Sequence, residues 1–306
     1  PAGNTLYAPL GFVRGDDPQL RYPVLTGFGT QPDPNPVEPR PPEYFAVTGL
    51  GSLTCGDSAI EAVLNTDDPK GATLQLNLET DDTGSLVLTL AAASELEASS
   101  LFYSFLADDD EAFHGFGGRR ESTNLRGLAF QNWVQDYRFP DLTTSYYYTQ
   151  PQFISSRGYG LALDSDAMAS WRLGSDLGDA WRLSVAEQQL RLVIALGPAA
   201  QAIDQLTQRS GRHRIAPAWS LGPTLSRTIQ ILPGAETVAS YRAKVEDDLA
   251  QIETRDLGIE AYAFEGWATL DRDFVVGVIE RLQRNDIRAI LYIRSFVADD
   301  SDTTLT

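Results

Sequence analysis

The sequence predicts an antiparallel β-sandwich followed by parallel β/α units that stop short of a closed (β/α)8 barrel. Three observations carry this reading. Apolar residues recur with period two from Tyr44 to Leu196. The period changes at Gly197-Pro198, where helical spacing begins. Beyond Pro217, strand-like and helix-like segments alternate.

Residues 1 to 45 read as irregular. Pro32, Pro34, Pro36, Pro39, Pro41 and Pro42 make a dense stretch expected to be an extended arm or loop. The run continues straight into strands, which argues against a proline-recognition ligand. Leu74, Leu76 and Leu78 alternate, Asp81-Asp82-Thr83-Gly84 turns the chain, and Leu86, Leu88 and Leu90 alternate again. That is a hairpin with one buried face. Further strands are expected at Leu101–Leu106, Phe153–Ile154, Leu161–Leu163, Trp171–Leu173, Trp181–Val185 and Leu190–Leu196. Short strands with regular turn signals indicate an antiparallel sandwich.

Ala199 to Arg209 reads as a connecting helix, with Ile203 and Leu206 at helical spacing. Ala218–Leu221 is expected to be a short strand. Glu236 to Asp256 has Val238, Tyr241, Val245, Leu249 and Ile252 on one helical face, and Gly258 follows as a C-cap. Ile259–Phe264 is the next strand, Asp273–Asn285 the next helix and Ala289–Ile293 a third strand. The expected layout is a sandwich with its arm over 1–197, a connecting helix over 198–214, and the start of a barrel over 215–306. A closed barrel needs about 250 residues, far more than remain after Ile215. Either this is a small α/β piece or the chain stops inside a larger domain. The polar stretch from Asp299 to Thr306, with no capping element, favours the second.

Composition bounds the function classes. The chain has 306 residues, 42% hydrophobic and 22% charged, which suits about two globular domains. No apolar run approaches the roughly 18 residues of a membrane span. The net charge of −18 argues against nucleic acid and anionic membranes as partners. Lys70 and Lys244 are the only lysines, a bias that points to no basic patch. A single cysteine, Cys55, excludes an internal disulfide framework without fixing the compartment. The chain begins at Pro1 with no visible signal peptide, so a mature or trimmed form is expected.

His114 and His213 stand 99 residues apart without a carboxylate pattern beside them, so neither a metal site nor a cofactor is expected. The glycine-rich string Phe113-His114-Gly115-Phe116-Gly117-Gly118 lacks a following helix start and reads as a tight turn at the sandwich edge. Glu265-Gly266-Trp267 directly follows a β/α strand, where side chains face the mouth of such domains. A carboxylate offers acceptors for sugar hydroxyls, and an indole offers a flat apolar face for the ring. A solvated loop acid is the competing reading of Glu265.

The string from Tyr146, YYYTQPQFISSRGYGLALDSD, resembles the P-F-x-x-S-x-x-G-Y-G-x-x-x-D segment of the N-terminal sandwich in glycoside hydrolase family 31. That family comprises α-glucosidases, α-xylosidases and sulfoquinovosidases. Phe113 to Arg119 resembles its G-L-G-E-[RK] turn, and Leu125-Arg126-Gly127 the R-G that follows. Trp133-Val134-Gln135-Asp136 is similar to its W-N-x-D loop. The string from Ile215, IAPAWSLG, resembles the P-x-W-x-L-G leading into its barrel, and ILYIRSFV from Ile290 resembles its third-strand string. These matches stand in order over roughly residues 100 to 300.

The resemblance implies a β-sandwich followed by a TIM (β/α)8 barrel, and a retaining, exo-acting α-glycosidase acting on an oligosaccharide or glycoside. Such enzymes flank the scissile bond with two carboxyl groups about 5–5.5 Å apart. The family's nucleophile is an Asp after the fourth barrel strand and its acid/base an Asp further on. Neither motif occurs before Thr306, so no catalytic residue is assigned in this chain. Carried over by position, Glu265 matches an Asp that hydrogen-bonds the terminal sugar. Asp136 matches a sandwich-loop Asp reaching toward the leaving group. The Q-P-x-x-x-S-S-R string and the Y-I-x-x-[FY]-V-A-x-D ending lean toward sulfoquinovosidase-like members, with Arg272 the candidate for a sulfonate. Gly118 stands where the family has Glu, Glu265 where it has Asp, and Arg294-Ser295 where it has Asn-Pro. The segment between Trp267 and Asp273 is also short for the family. These departures leave a non-catalytic carbohydrate-binding or structural relative as the second reading.

Overall fold

A computed structural model describes residues 10–20, 39–119, 121–132, 148–212, 214–228, 237–255 and 257–292. The chain divides into two compact units, Pro1–Arg212 and His213–Thr306.

The first unit is built from strands β1 (Leu10–Arg14), β2 (Glu43–Cys55), β3 (Ala59–Thr66), β4 (Thr73–Thr80), β5 (Leu86–Ala92), β6 (Ala98–Leu106) and β7 (Phe113–Gly115). It continues with β8 (Ala129–Asn132), β9 (Gln152–Ser155), β10 (Tyr159–Leu163), β11 (Ala169–Leu173), β12 (Ala180–Val185) and β13 (Gln189–Leu196). These described strands follow one hydrogen-bonded order, β7-β9-β10-β13-β5-β4-β3-β2-β1-β6-β12-β11-β8. The sheet turns into two layers at β2. Residues 43–46 pair with β1, whereas residues 47–55 pair with β3 through two register shifts. Such irregularities bend a strand and let it serve both layers.

The alternating apolar residues of both layers meet in one core. Phe12, Leu101, Trp171, Trp181 and Leu183 come from one half, and Leu74, Leu90, Phe153, Leu161 and Leu192 from the other. Phe153 bridges them, edge-on to Trp181 at a ring separation of 5.3 Å and to Trp171 at 6.0 Å. Edge-to-face packing of this kind adds to the area the rings bury. The architecture is therefore the antiparallel sandwich that period two predicts.

The β9–β10 hairpin, within the string beginning at Tyr146, is fixed from both sides. Below it, buried Glu111 accepts hydrogen bonds from Ser155 Oγ and from Tyr159 Oη at 2.7 Å. Tyr159 Oη in turn accepts from Trp181 Nε1 at 3.0 Å, which ties the hairpin to the facing layer. Above it lies helix α1 (Ala199–Ser210), whose Ala202 and Leu206 bury against Val193 and Ala195. A Cβ on Gly160 would come within 3.0–3.1 Å of Leu206 and Ala202 and 2.8 Å of Ile154. The glycine is what lets the helix approach the sheet this closely.

Sequence and structure differ in two places within this unit. Leu10–Arg14, expected to be irregular, is a central strand, hydrogen-bonded to both β2 and β6. The glycine-rich string is partly strand: β7 pairs with β9, and Phe116 beyond it is a core residue. Most of the Pro-rich arm and the Trp133 to Asp136 string lie outside the described residues.

The second unit holds β14 (Thr224–Arg227), helix α2 (Val238–Thr254), β15 (Ala261–Phe264), helix α3 (Arg272–Arg284) and β16 (Arg288–Leu291). The three strands are parallel in the order β14-β15-β16, two consecutive β/α repeats. Tyr241, Val245, Leu249 and Ile252 of α2 and Phe274, Val275, Val278 and Leu282 of α3 enclose Tyr262 and Phe264. Ala218–Leu221, expected to be a strand, is a 3-10 turn, and the strand lies three residues later. Pro217 supplies the φ of −62° that starts the turn, with Gly222 and Pro223 just beyond it.

Candidate functional site

The candidate site sits where β15 ends. Phe264 is buried under the helices, and Glu265 is the next residue, half-buried. Strand alternation gives Glu265 the face of Ala261 and Ala263, opposite the face of Tyr262 and Phe264 that packs under α2 and α3. Phe264 pairs in register with Arg227 and Leu291. One residue on, Glu265 and Tyr292 therefore stand side by side, and Tyr292 is more than half exposed.

The backbone at Glu265 is held closely. Its N–H donates to the Arg227 carbonyl at 3.1 Å, extending the β14–β15 ladder by one bond. The Tyr241 hydroxyl donates to the Glu265 carbonyl and lies 3.2 Å from the Arg227 carbonyl. Gly266 then takes a left-handed conformation with φ 77°, which a glycine reaches without steric cost. Trp267 opens a 3-10 turn, and its Nε1–H donates to the Tyr292 carbonyl at 2.8 Å. The indole thus links the loop after β15 to the end of β16.

A buried polar cluster supports these strand ends. Asp248, on the inward face of α2, accepts from Tyr262 Oη at 2.7 Å and from Arg227 Nε at 2.7 Å. The second guanidinium nitrogen reaches its other oxygen at 2.5 Å. Burial first, then the hydrogen bond to Asp248, pushes the Tyr262 phenol well above its ordinary value. The hydrogen bonds to Asp248 raise the Arg227 guanidinium further despite its partial burial.

Of the residues singled out from the sequence, Glu265 and Trp267 fall in one turn. Arg272 is exposed as the first residue of α3, just after the Asp271 cap that accepts from Phe274 N at 2.9 Å. No described contact joins Arg272 to Glu265. Asp136 lies outside the described residues. His114 is an exposed strand residue whose Nδ1 is 2.6 Å from the Thr123 carbonyl. Among the described residues, no group of three or more His, Cys, Asp or Glu is placed to hold a metal. Sequence pattern alone does not mark Tyr241, Asp248 or Tyr292 as site residues. Tyr241 sits in the apolar stripe of α2 and reads there as core; only the register of β15 against β14 reveals where its hydroxyl ends. An acid flanked by Val245 and Leu249 on that stripe was the one signal for Asp248.

Residues 54–170 match the family model of the glycosyl hydrolase 31 N-terminal galactose mutarotase-like domain. Those residues therefore resemble the N-terminal domain of glycoside hydrolase family 31. The chain is 24% identical over 200 residues to the alpha-xylosidase XylQ of Lactiplantibacillus pentosus, covering 63% of itself and 26% of that protein. Among solved structures, it resembles a cycloalternan-forming enzyme from Listeria monocytogenes, with a TM-score of 0.64 at 13% identity over 85% of this chain and 34% of that one. It also resembles a family 31 sulfoquinovosidase from E. rectale, with a TM-score of 0.59 at 16% identity over 93% and 43%. A Flavobacterium johnsoniae dextranase of the same family gives 0.53 at 18% identity over 78% and 30%. At these identities the likenesses bear on the fold. The chain spans about a quarter of the curated relative's length, and less than half of each of these solved chains.

Proposed function

We propose that this chain supplies the sandwich and the first β/α units of a retaining, exo-acting α-glycosidase that removes a terminal α-linked sugar. The observation that carries the reading is the Glu265-Gly266-Trp267 turn at the carboxyl end of β15, with Tyr292 beside it. A carboxylate there accepts from sugar hydroxyls, while the aromatic rings offer apolar faces to the pyranose. The open end of parallel strands is also where β/α enzymes place their substrates. Asp136 is assigned to the leaving-group side. The catalytic carboxyl pair is assigned to sequence other than these 306 residues. Relatives that are named as an alpha-xylosidase, a dextranase and a sulfoquinovosidase support a glycoside substrate. Arg272 is the cation assigned to a sulfonate, should the sugar carry one.

The test is turnover by the full-length protein of 4-nitrophenyl α-D-glucoside, α-D-xyloside and α-sulfoquinovoside. Proton NMR of the first-formed sugar reads the stereochemistry. Release of the α-anomer from one of the three supports the proposal, and release of the β-anomer contradicts retention. Sugar binding without turnover favours the second reading, a non-catalytic carbohydrate-binding relative, which the replacements at Gly118, Glu265 and Arg294-Ser295 motivate.

A further inference from the structure

We infer that Tyr241 is a positioning residue for the sugar-binding carboxylate, holding Glu265 in place through its main chain. The inference rests on Glu265 contacting the sugar. Tyr241 is fully buried in the first turn of α2, and its ring stacks with Phe264 at 6.3 Å. Its hydroxyl has a single proton and faces two carbonyls, those of Glu265 and Arg227. The Arg227 carbonyl also accepts from the Glu265 N–H. Both peptide planes that flank the Glu265 Cα are therefore tied to one small cluster. The plane before it is held by the N–H, and the plane after it by the carbonyl. With φ and ψ both held, the direction of the Cα–Cβ bond that carries the carboxylate is held too.

Two features show why the strand alone does not do this. β15 ends at Phe264, so Glu265 lies beyond its last registered pair. Gly266 follows immediately in the left-handed region, and glycine offers little resistance to rotation. Without the Tyr241 hydroxyl, the Glu265 carbonyl loses its clamp where the chain is most permissive. Asp248 lies two turns further along α2 on the same face and anchors the helix to Tyr262 and Arg227. That second anchor sets the depth at which the Tyr241 ring arrives. A side chain displaced by about 1 Å can cost a site tenfold or more, although no contact to the ligand is deleted.

The experiment is a double-mutant cycle in the full-length protein between Tyr241→Phe and Glu265→Gln, read as KM and kcat on whichever of the three aryl α-glycosides is turned over. Phenylalanine keeps the ring and removes only the hydroxyl. Tyr241→Phe is expected to raise KM about tenfold with kcat little changed, and to add nothing in the Glu265→Gln background. A merely structural role would instead lower kcat through loss of folded enzyme and leave KM alone. Should Tyr241→Phe fail to fold, Gly266→Ala disturbs the same turn from its other side and must show the same non-additivity. Effects that add, or an unchanged KM in Tyr241→Phe where Glu265→Gln raises it, overturn the role of Tyr241 and leave the sugar site standing. An unchanged KM in Glu265→Gln, or failure of the full-length protein either to bind or to turn over any of the three glycosides, overturns both.

Discussion

The Tyr262 hydroxyl, on β15, donates to Asp248 Oδ2 at 2.7 Å, joining the middle strand of the parallel sheet to the buried face of α2. The same carboxylate takes both arms of the Arg227 guanidinium. Removing it would strand a buried phenol and a partly buried cation together. Asp248→Ala is expected to destabilise the second unit by about 3 kcal/mol, as breaking a buried pair does. Tyr262→Phe should cost only about 1 kcal/mol. Denaturant midpoints of the two variants check the ordering, and equal losses would contradict it.

Tyr262 and Tyr159 give the protein an alkaline limit. Burial, and then a hydrogen bond to Asp248 or Glu111, raises each phenol above its ordinary value. In the unfolded chain both ionise near pH 10, while in the folded chain they stay neutral. Their contribution is fully present below pH 10 and is lost as pH rises beyond it. Stability measured from pH 9 to 11 should fall less steeply in Tyr159→Phe and Tyr262→Phe than in the parent.

Asp81 sets a dependence of the opposite sign. Burial alone would raise its carboxyl. The Thr83 hydroxyl at 2.6 Å, the Ser85 and Thr83 amides at 3.0 Å, and Arg209 outweigh it and hold the group below the usual carboxylate range. Its contribution is therefore present above the ordinary Asp value and lost as pH falls through the lowered one. Asp81→Asn should cost about 1 kcal/mol at pH 7 and flatten the stability profile below pH 4.

The sandwich was legible because its strands obey local rules. Leu74, Leu76 and Leu78 pair with Ala92, Leu90 and Leu88 in the register that the Asp81-to-Gly84 turn predicts. Leu10–Arg14 escaped because both its partners lie far along the chain, at residues 43–46 and 98–103. Helices α2 and α3 were visible from their apolar stripes, but β14 was not. Its Leu225 is half-buried, and Arg227 is satisfied by an acid 21 residues away. Glu265 and Trp267 could be placed in sequence because they follow a strand. Tyr241 and Tyr292 could not, since their relation to Glu265 is created by the register of three parallel strands.

The assignment of the catalytic pair to other sequence has a simple consequence. Residues 1–306, purified alone, are expected to hydrolyse no aryl α-glucoside above the uncatalysed rate. A discontinuous 4-nitrophenol assay at high protein concentration checks this. Measurable turnover would place the catalytic carboxyl groups within this chain.

Glu265→Gln in the full-length protein tests the account most directly. The substitution keeps the size of the side chain, removes its charge and turns one of its two acceptor oxygens into an N–H donor. With the sugar's hydroxyls on this carboxylate, kcat/KM should fall about 10- to 100-fold. An unchanged kcat/KM would make Glu265 a solvated loop acid and contradict the site.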